Sequence, residues 1–205
     1  MHEVFRPTTG RVLTAVLAVI AVIVEVWYAV GAGLADAARV APFLAVVVFT
    51  AWMCFWRPRV EVTDAGVTLV NVLRTVSLPW PSILDVDTKW TLSLTTGYGR
   101  FDAWAAPAPG TRTAVFARRS AVEARHVPAS ARVGGMVRPG DLPSTSSGAT
   151  AEYIRRRWEE LREAGHLDTP RLEHERVPQR WHLGTIVTLG VLIALCIVSA
   201  TVGQP

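Results

Sequence analysis

The chain has 205 residues, of which 21 are Lys or Arg and 17 are Asp or Glu, so its formal net charge is +4. Half of the residues are apolar and the mean hydropathy is +0.29, which is high for a soluble domain. The apolar residues gather in two blocks near the N-terminus and one near the C-terminus, and nearly all the charge lies between them. This distribution excludes one compact soluble globule and predicts membrane helices around a polar domain.

Three segments are long and apolar enough to predict membrane-spanning helices. Residues 12–35 contain Glu25 as their only ionisable group, and as a helix they would extend ~36 Å. Residues 40–56 and 183–202 are uncharged. Because only residues 36–39 separate the first two segments, we expect a tight antiparallel transmembrane hairpin over 12–56 and a third span over 183–202.

Arginines beside these segments predict the orientation of the chain. Eight of them flank one side of the predicted spans and only Arg39 flanks the other; the eight are Arg6, Arg11, Arg57, Arg59, Arg74, Arg171, Arg176 and Arg180. The positive-inside rule therefore predicts a multi-pass protein of the cell membrane, with residues 1–11 and 57–182 cytoplasmic and the C-terminus outside. The expected anchors at the membrane interface are Trp56, Arg57, Arg180 and Trp181.

A cleaved signal peptide over residues 1–37 is the alternative interpretation of the N-terminus. Arg6 and Arg11 give a basic start, and Ala35, Asp36 and Ala37 have the small-x-small form of a cleavage site. However, the apolar stretch exceeds the ~7 to 15 residues of a signal core, and a second apolar segment follows almost at once. The sequence therefore favours two spans.

Glu25 is the one ionisable residue within the predicted spans, where a carboxylate costs free energy. It marks a proton or cation pathway, or it is a protonated carboxyl bonded to a neighbouring helix, or it lies near an outer interface marked by Trp27 and Tyr28. The hydroxyls available to such a carboxyl are Thr50, Thr185, Thr188 and Ser199. A transporter normally has several polar groups on facing spans, so the single carboxyl favours the structural interpretations.

Alternating apolar and polar residues after Pro58 predict short antiparallel strands. The expected strands cover residues 59–63, 67–72, 75–80, 83–90, 91–95 and 100–105. Turns at 64–66 and 97–99 contain glycine. The pattern predicts a meander that closes into a small sheet or barrel.

Residues 107–148 are rich in Pro, Gly and Ser and predict a long loop, and residues 166–182 predict a charged linker. Between them a helix is expected over 151–164, with Thr150 and Gly165 as its caps. Its apolar side chains, which should cover the sheet, are Ile154, Trp158 and Leu161. Arg156 and Glu160 are spaced as an i, i+4 ion pair. The predicted fold class is a membrane α-helical protein with three spans plus a small α+β domain, an antiparallel meander or barrel capped by one helix.

Three sequence stretches carry a resemblance: RPRVEVTDAGV at 57–67, LRTVSLPWPSILDVD at 73–87 and FDAWAAPAP at 101–109. Together they resemble the pleckstrin-homology (PH)-like domains of actinobacterial membrane proteins, in particular the low-molecular-weight protein antigen type. The resemblance implies a PH-like fold over 57–165 at the cytoplasmic face, and for most members it implies no ligand.

PH domains that bind phosphoinositides place Lys and Arg in the first hairpin, whereas this chain has Glu61 and Asp64 there. The resemblance therefore does not extend to inositol phosphate recognition. The remaining basic candidates for a ligand or leaflet contact are Arg74, Lys89, Arg100, Arg118 and Arg119.

The expected function is that of a non-catalytic, membrane-anchored adaptor or scaffold that binds a protein segment or a lipid headgroup. Residues 57–182 hold 18 basic and 14 acidic residues, which favours contact with an anionic leaflet. The expected partners are the lipid bilayer and an unidentified protein. The alternative is an accessory or regulatory subunit of a membrane transporter or channel that uses Glu25.

Catalysis, metal binding and nucleic-acid binding are not expected. The chain has no G-x-S-x-G elbow, P-loop or dinucleotide fingerprint, and its cysteines, Cys54 and Cys196, both lie in predicted spans. The histidines occupy termini, loops or the linker, and they are His2, His126, His166, His174 and His182. Basic residues are interleaved with acids, unlike a nucleic-acid surface. No enzyme activity, catalytic residue, metal, cofactor or small-molecule substrate is predicted.

Overall fold

A computed structural model of the chain describes residues 2–107, 132–133, 136–137, 145–167 and 177–202. The chain divides into two compact units. We call Met1–Arg6 with Arg59–Arg180 the polar unit, and Pro7–Pro58 with Trp181–Pro205 the helical unit.

The described elements follow one another along the chain, with strands and helices numbered separately. They are β1 (His2–Phe5), α1 (Thr8–Gly31), α2 (Leu34–Ala51) with a π-helical turn (Trp52–Trp56), β2 (Arg59–Thr63), β3 (Gly66–Val70), β4 (Arg74–Pro79), a 3-10 turn (Trp80–Ser82), β5 (Ile83–Asp87), β6 (Thr91–Thr96), β7 (Gly99–Pro107), β8 (Arg132–Val133), β9 (Met136–Val137), α3 (Ser146–Glu163), β10 (Gln179–Trp181) and α4 (Leu183–Val202).

Two sheets form the framework of the polar unit. The first has the strand order β1-β2-β3-β4-β10, and the second has the order β5-β6-β7. Strands β8 and β9 form a separate antiparallel pair within the segment predicted to be a loop. The strand predicted over 83–90 ends earlier than expected, at Asp87, because the Asp87 carboxylate accepts hydrogen bonds from the Thr88 and Lys89 amides and turns the chain.

Alternation along the strands builds one shared core in the polar unit. Apolar residues of both sheets are buried together with Ala151 and Ile154 of α3. Trp158 of α3 donates a hydrogen bond from Nε1 to the Ile83 carbonyl of β5 at 3.1 Å. The helix therefore packs on the second sheet, as the apolar spacing along α3 predicts.

The helix α3 begins five residues earlier than the predicted 151–164. The Thr145 hydroxyl accepts from the Gly148 amide at 3.0 Å and caps the helix, whereas Thr150 is buried inside it. Ser146, Ser147 and Gly148 have low helix propensity, so the sequence pattern did not mark this first turn. At the other end Gly165 has a φ of +72° and follows the helix in a Schellman arrangement.

Edge strands β1 and β10 arise from segments predicted to be an N-terminal tail and a linker. Strand β1 pairs with β2 so that Phe5 lies opposite Val60, and the Phe5 ring lies 5.5 Å from the Tyr153 ring. The Ser77 amide donates to the Pro178 carbonyl beside β10 at 3.1 Å. Strands of three or four residues are too short to show a period, and their partners are distant in sequence.

In the helical unit, α1 and α2 are joined at Ala32 and Gly33 rather than at the predicted linker 36–39. Gly33 has a φ of +97°, which favours glycine and ends the first helix. Asp36 lies in the first turn of α2, where a carboxylate is favourable, and its Oδ1 lies 2.7 Å from Arg39 Nη1. The predicted segments 12–35 and 40–56 therefore correspond to helices Thr8–Gly31 and Leu34–Trp56.

Among the described residues, three helices are long and apolar enough to cross a membrane, judged by length and composition. Helix α4 coincides with the predicted third segment. Thr14 of α1 donates from its hydroxyl to the Gly10 and Ala51 carbonyls, which ties α1 to the end of α2. Ser199 of α4 donates to the Arg39 carbonyl at 2.8 Å.

Candidate binding surface

A charged cluster centred on Arg100 lies on the outward face of the second sheet. The strand register aligns Asp87, Ser93 and Asp102 across β5, β6 and β7. Arg100 Nε lies 3.1 Å from Asp102 Oδ1, and Arg100 Nη1 lies 3.4 Å from Asp87 Oδ2. Arg100 Nη2 donates to Ser93 Oγ at 2.8 Å, and Ser93 Oγ donates to Asp102 at 2.5 Å. The charge of Arg100 is therefore neutralised inside the cluster.

The same face carries more acid than base. Asp85 lies opposite Thr95 in the register, on the side of the sheet that holds Asp87 and Ser93. We call Asp85, Asp87, Arg100, Asp102 and Trp104 the acidic face, which carries three carboxylates and one guanidinium.

Trp104 is held in place on this face although its side chain is 55% exposed. The Asn71 side chain donates to the Asp102 carbonyl and accepts from the Trp104 amide, both at 2.8 Å. Asn71 thus pairs with β7 as another strand would. An exposed tryptophan on fixed backbone is a typical anchor for a binding partner.

The loop after β5 presents Lys89 and Trp90. Trp90 is 75% exposed, and Lys89 Nζ lies 5.9 Å from the centroid of its ring. Lys89 is therefore oriented by a neighbouring aromatic ring.

The predicted basic candidates do not form one described cluster. Arg74 donates to Gln179 Oε1 at 3.0 Å on the first sheet, whereas Arg100 is held by carboxylates on the second. Arg118 and Arg119 lie outside the described residues.

The first hairpin of the polar unit ends in an acidic turn that α3 contacts. Arg157 Nη2 lies 3.2 Å from Asp64 Oδ1, and Arg157 Nη1 lies 3.0 Å from Glu160 Oε2. The hydrogen bond to Glu160 raises the pKa of the Arg157 guanidinium. Glu160 thus pairs with Arg157 at i, i+3, and the expected pair with Arg156 is replaced by a contact of Arg156 with the Tyr153 ring. The hairpin presents a carboxylate where a phosphate cradle needs cations.

At the end of the helical unit that holds Trp56, cations lie over tryptophan rings. The Arg11 guanidinium lies 4.7 Å from the Trp56 centroid, and that of Arg57 lies 5.7 Å from the Trp52 centroid. Arg57 also donates to Thr185 Oγ1 at 2.5 Å. Of the other predicted anchors, Arg180 and Trp181 are both exposed. The pattern predicted Arg11 only as a flanking charge, because its ring partner comes from the other helix of the hairpin.

Glu25 lies closer to a helix end than predicted, since α1 ends at Gly31, six residues or ~9 Å further on. Its Oε2 is buried and has no hydrogen-bond partner among the described residues. The hydroxyls of Thr188 and Ser199 donate to backbone carbonyls instead, and Thr185 accepts from Arg57. The predicted hydrogen bond to a neighbouring helix is therefore not made by this oxygen.

A comparison with protein families finds a match, and it covers much of the polar unit. The family model described as Bacterial PH domain matches residues 57–136. This match supports a bacterial PH-like domain in the chain. The resemblance drawn from the three sequence stretches is thus confirmed at the level of the bacterial PH domain, while the actinobacterial origin and the antigen type stay predictions.

The PH-like domain suggests a non-catalytic binding or adaptor role for the chain. No curated protein and no solved structure is significantly similar to it. Within the described ranges, no three His, Cys, Asp or Glu side chains are grouped as metal ligands would be.

Proposed function

We propose that the chain is a non-catalytic adaptor, anchored in the cell membrane, whose PH-like domain binds a basic protein segment on the acidic face. The observation that carries the proposal is the neutralisation of Arg100 by Asp87 and Asp102. It leaves the face with excess negative charge beside the exposed ring of Trp104. Such a face attracts Lys and Arg side chains and repels phosphate groups.

The connections between the two units support membrane anchoring. Only Arg6 and Pro7 separate β1 from α1, only Arg57 and Pro58 separate the π-helical turn from β2, and only His182 separates β10 from α4. If the three apolar helices cross a bilayer, the PH-like domain is tethered to that membrane at three points. The arginine distribution favours a cytoplasmic position for the domain and the N-terminus, with the C-terminus outside.

The proposal is tested with the full chain in nanodiscs of neutral lipid and a fluorescent peptide of Lys, Arg and Gly residues. A peptide with Glu at each basic position is the control ligand. We expect the basic peptide to bind and its affinity to fall with salt. The double variant Asp85→Asn/Asp102→Asn should weaken binding ~2- to 30-fold, since each exposed carboxylate contributes about 0.2 to 1 kcal/mol.

The matched control is Glu159→Gln/Glu163→Gln, which removes two exposed carboxylates from α3. Equal weakening by both double variants would mean that the attraction depends only on net charge. It would contradict the acidic face as the binding site. Binding of soluble glycerophosphoglycerol or an inositol phosphate, unaffected by the acidic-face variant, would instead assign the domain to lipid headgroups.

The second candidate function, an accessory subunit of a transporter or channel, is favoured by the buried Oε2 of Glu25, which finds no hydrogen-bond partner within the described ranges. A carboxyl in an apolar helix is costly, and such a residue usually marks an ion pathway or a contact with another chain. Glu25→Gln keeps a hydrogen-bonding group, whereas Glu25→Leu removes it. Loss of cellular function in both variants at normal protein abundance would favour ion coupling, loss in Glu25→Leu alone would favour a partner contact, and loss in neither would contradict this candidate.

A further inference from the structure

An apolar groove of about 710 Å³ runs along the helical unit. Its walls include Ala15 and Ala18 of α1, Val48 and Phe49 of α2, and Leu192 of α4. Alanine side chains leave this space because they are too short to fill it. The hydroxyl of Thr14, also in the wall, donates to two backbone carbonyls. The groove therefore suits an apolar occupant.

One end of the groove is positively charged. Trp52 and Trp56 line it there, and the guanidinium groups of Arg57 and Arg11 lie over these two rings. Within the described part of the chain, Arg11 forms no salt bridge, whereas Arg39 at the far end of α2 pairs with Asp36. An anion at the Trp56 end would thus meet oriented cations.

The length of the groove matches one leaflet of a bilayer. Ala45 and Trp56 both line it, and eleven residues of helix separate them, which corresponds to ~16 Å. The hydrocarbon core of a bilayer is ~30 Å thick, so a single leaflet contributes about half of that.

We propose that the groove binds one acyl chain of a phospholipid with an anionic headgroup, and that Arg11 and Arg57 contact its phosphate. The length of the groove, its apolar walls and the cations at one end all fit this occupant. Headgroup charge and acyl chain are both needed, since the walls select the chain and the guanidinium groups select the anion.

Native mass spectrometry of the full chain, titrated in detergent, tests the proposal. The probes are phosphatidylglycerol and phosphatidylcholine with the same acyl chains. We expect a one-to-one adduct that forms more readily with phosphatidylglycerol. Ala15→Phe should abolish the adduct with both lipids because its ring fills the groove, whereas Ala194→Phe, at an exposed site on α4 away from the groove, should not.

Arg11→Gln tests the charged end without changing the walls. It should lower the preference for phosphatidylglycerol over phosphatidylcholine about five-fold, the contribution of one arginine near an anionic surface. Arg39→Gln is the control at the far end and should leave the preference unchanged.

Four outcomes would overturn the proposal in whole or in part. No saturable adduct in the unaltered chain would exclude a lipid site, and equal adducts for Ala15→Phe and Ala194→Phe would place the lipid elsewhere. A dimer that Ala15→Phe alone dissociates would assign the groove to a second copy of the chain. An unchanged lipid preference in Arg11→Gln would overturn the headgroup contact even if Ala15→Phe failed to fold.

Discussion

The two candidate sites, one in the polar unit and one in the helical unit, differ in what surrounds their arginine side chains. In the polar unit, Arg59, Arg100 and Arg157 each lie within 3.4 Å of a carboxylate oxygen. In the helical unit, Arg11 and Arg57 lie over the faces of tryptophan rings instead. An aromatic face orients a guanidinium without neutralising its charge.

This difference separates two kinds of binding chemistry. The charge of Arg100 is neutralised within its own cluster, so the chemistry of the acidic face depends on the remaining carboxylates and on exposed Trp104. At one end of the helical unit, Arg11 forms no salt bridge with the described residues, so its charge is available to an external anion. The net charge of +4 therefore says little about where the chain attracts phosphate.

The largest expected effect is that of a glycine substitution in the polar unit, at Gly66, compared with one in the helical unit, at Gly190. A Cβ at Gly66 would meet the backbone carbonyl oxygen of Leu78, and Gly66 has a φ of +156°. We expect Gly66→Ala to destabilise the polar unit by about 3 kcal/mol, from overlap and backbone strain together. In Gly190→Ala of α4 the new methyl meets no atom of the described segments within 4 Å, so this matched change should be close to neutral.

Hydrogen exchange of the full chain in nanodiscs measures both effects. Faster exchange in β2–β4 is expected for Gly66→Ala only. Similar protection in the two variants would show that the polar unit tolerates a backbone shift at this turn and that the two units do not differ in packing.

A somewhat smaller effect is expected at β1, which belongs to the polar unit although α1 follows it almost at once. Phe5→Ala should cost about 2 kcal/mol, less than a fully buried phenylalanine, because the ring is only half-buried against Tyr153. The measurement is amide protection of β2, whose residues pair with β1. Val4→Ala, on the other side of β1, is the control, and an equal loss there would contradict a core role for Phe5.

Arg100→Met is expected to cost about 1 kcal/mol, since it leaves Asp87 and Asp102 close together without a cation. Arg180→Met makes the same change at an exposed site of β10 and should have an effect near zero. Amide protection of β6 and β7 reports the difference. Equal protection in both variants would mean that the Arg100 cluster does not stabilise the sheet, and the contrast between the units would lose its structural basis.

Local patterns predicted much of the polar unit. Alternation marked the positions of β2 to β7, and the spacing of Ile154 and Trp158 placed the apolar face of α3 on the sheet. Edge strands β1 and β10 were missed because their pairing joins segments far apart in sequence. The sequence pattern misplaces the hairpin between α1 and α2 because Asp36 and Arg39 resemble linker charges, whereas they pair within the first turns of a helix.

The candidate site was less predictable than the fold. Arg100 was expected to be available to a ligand, and its neutralisation depends on the register that aligns Asp87, Ser93 and Asp102. Arg11 meets Trp56 only because two helices pack antiparallel. Contacts of this kind follow from tertiary structure, and no single window of sequence contains both partners.

The smallest expected effect is that of Arg157→Gln, which removes the contact between α3 and the first hairpin. The side chain of Asp64 is 62% exposed, so the pair is screened by water and should contribute little to stability. Amide protection of β2 and β3 should fall slightly at low salt and not at high salt, while the neighbouring Arg156→Gln serves as control. A larger loss that persists at high salt would mean that Arg157, like Arg100, is a cation that the PH-like domain needs for its structure. A small and salt-sensitive loss would leave Asp64 as a carboxylate that a basic partner could take over from α3.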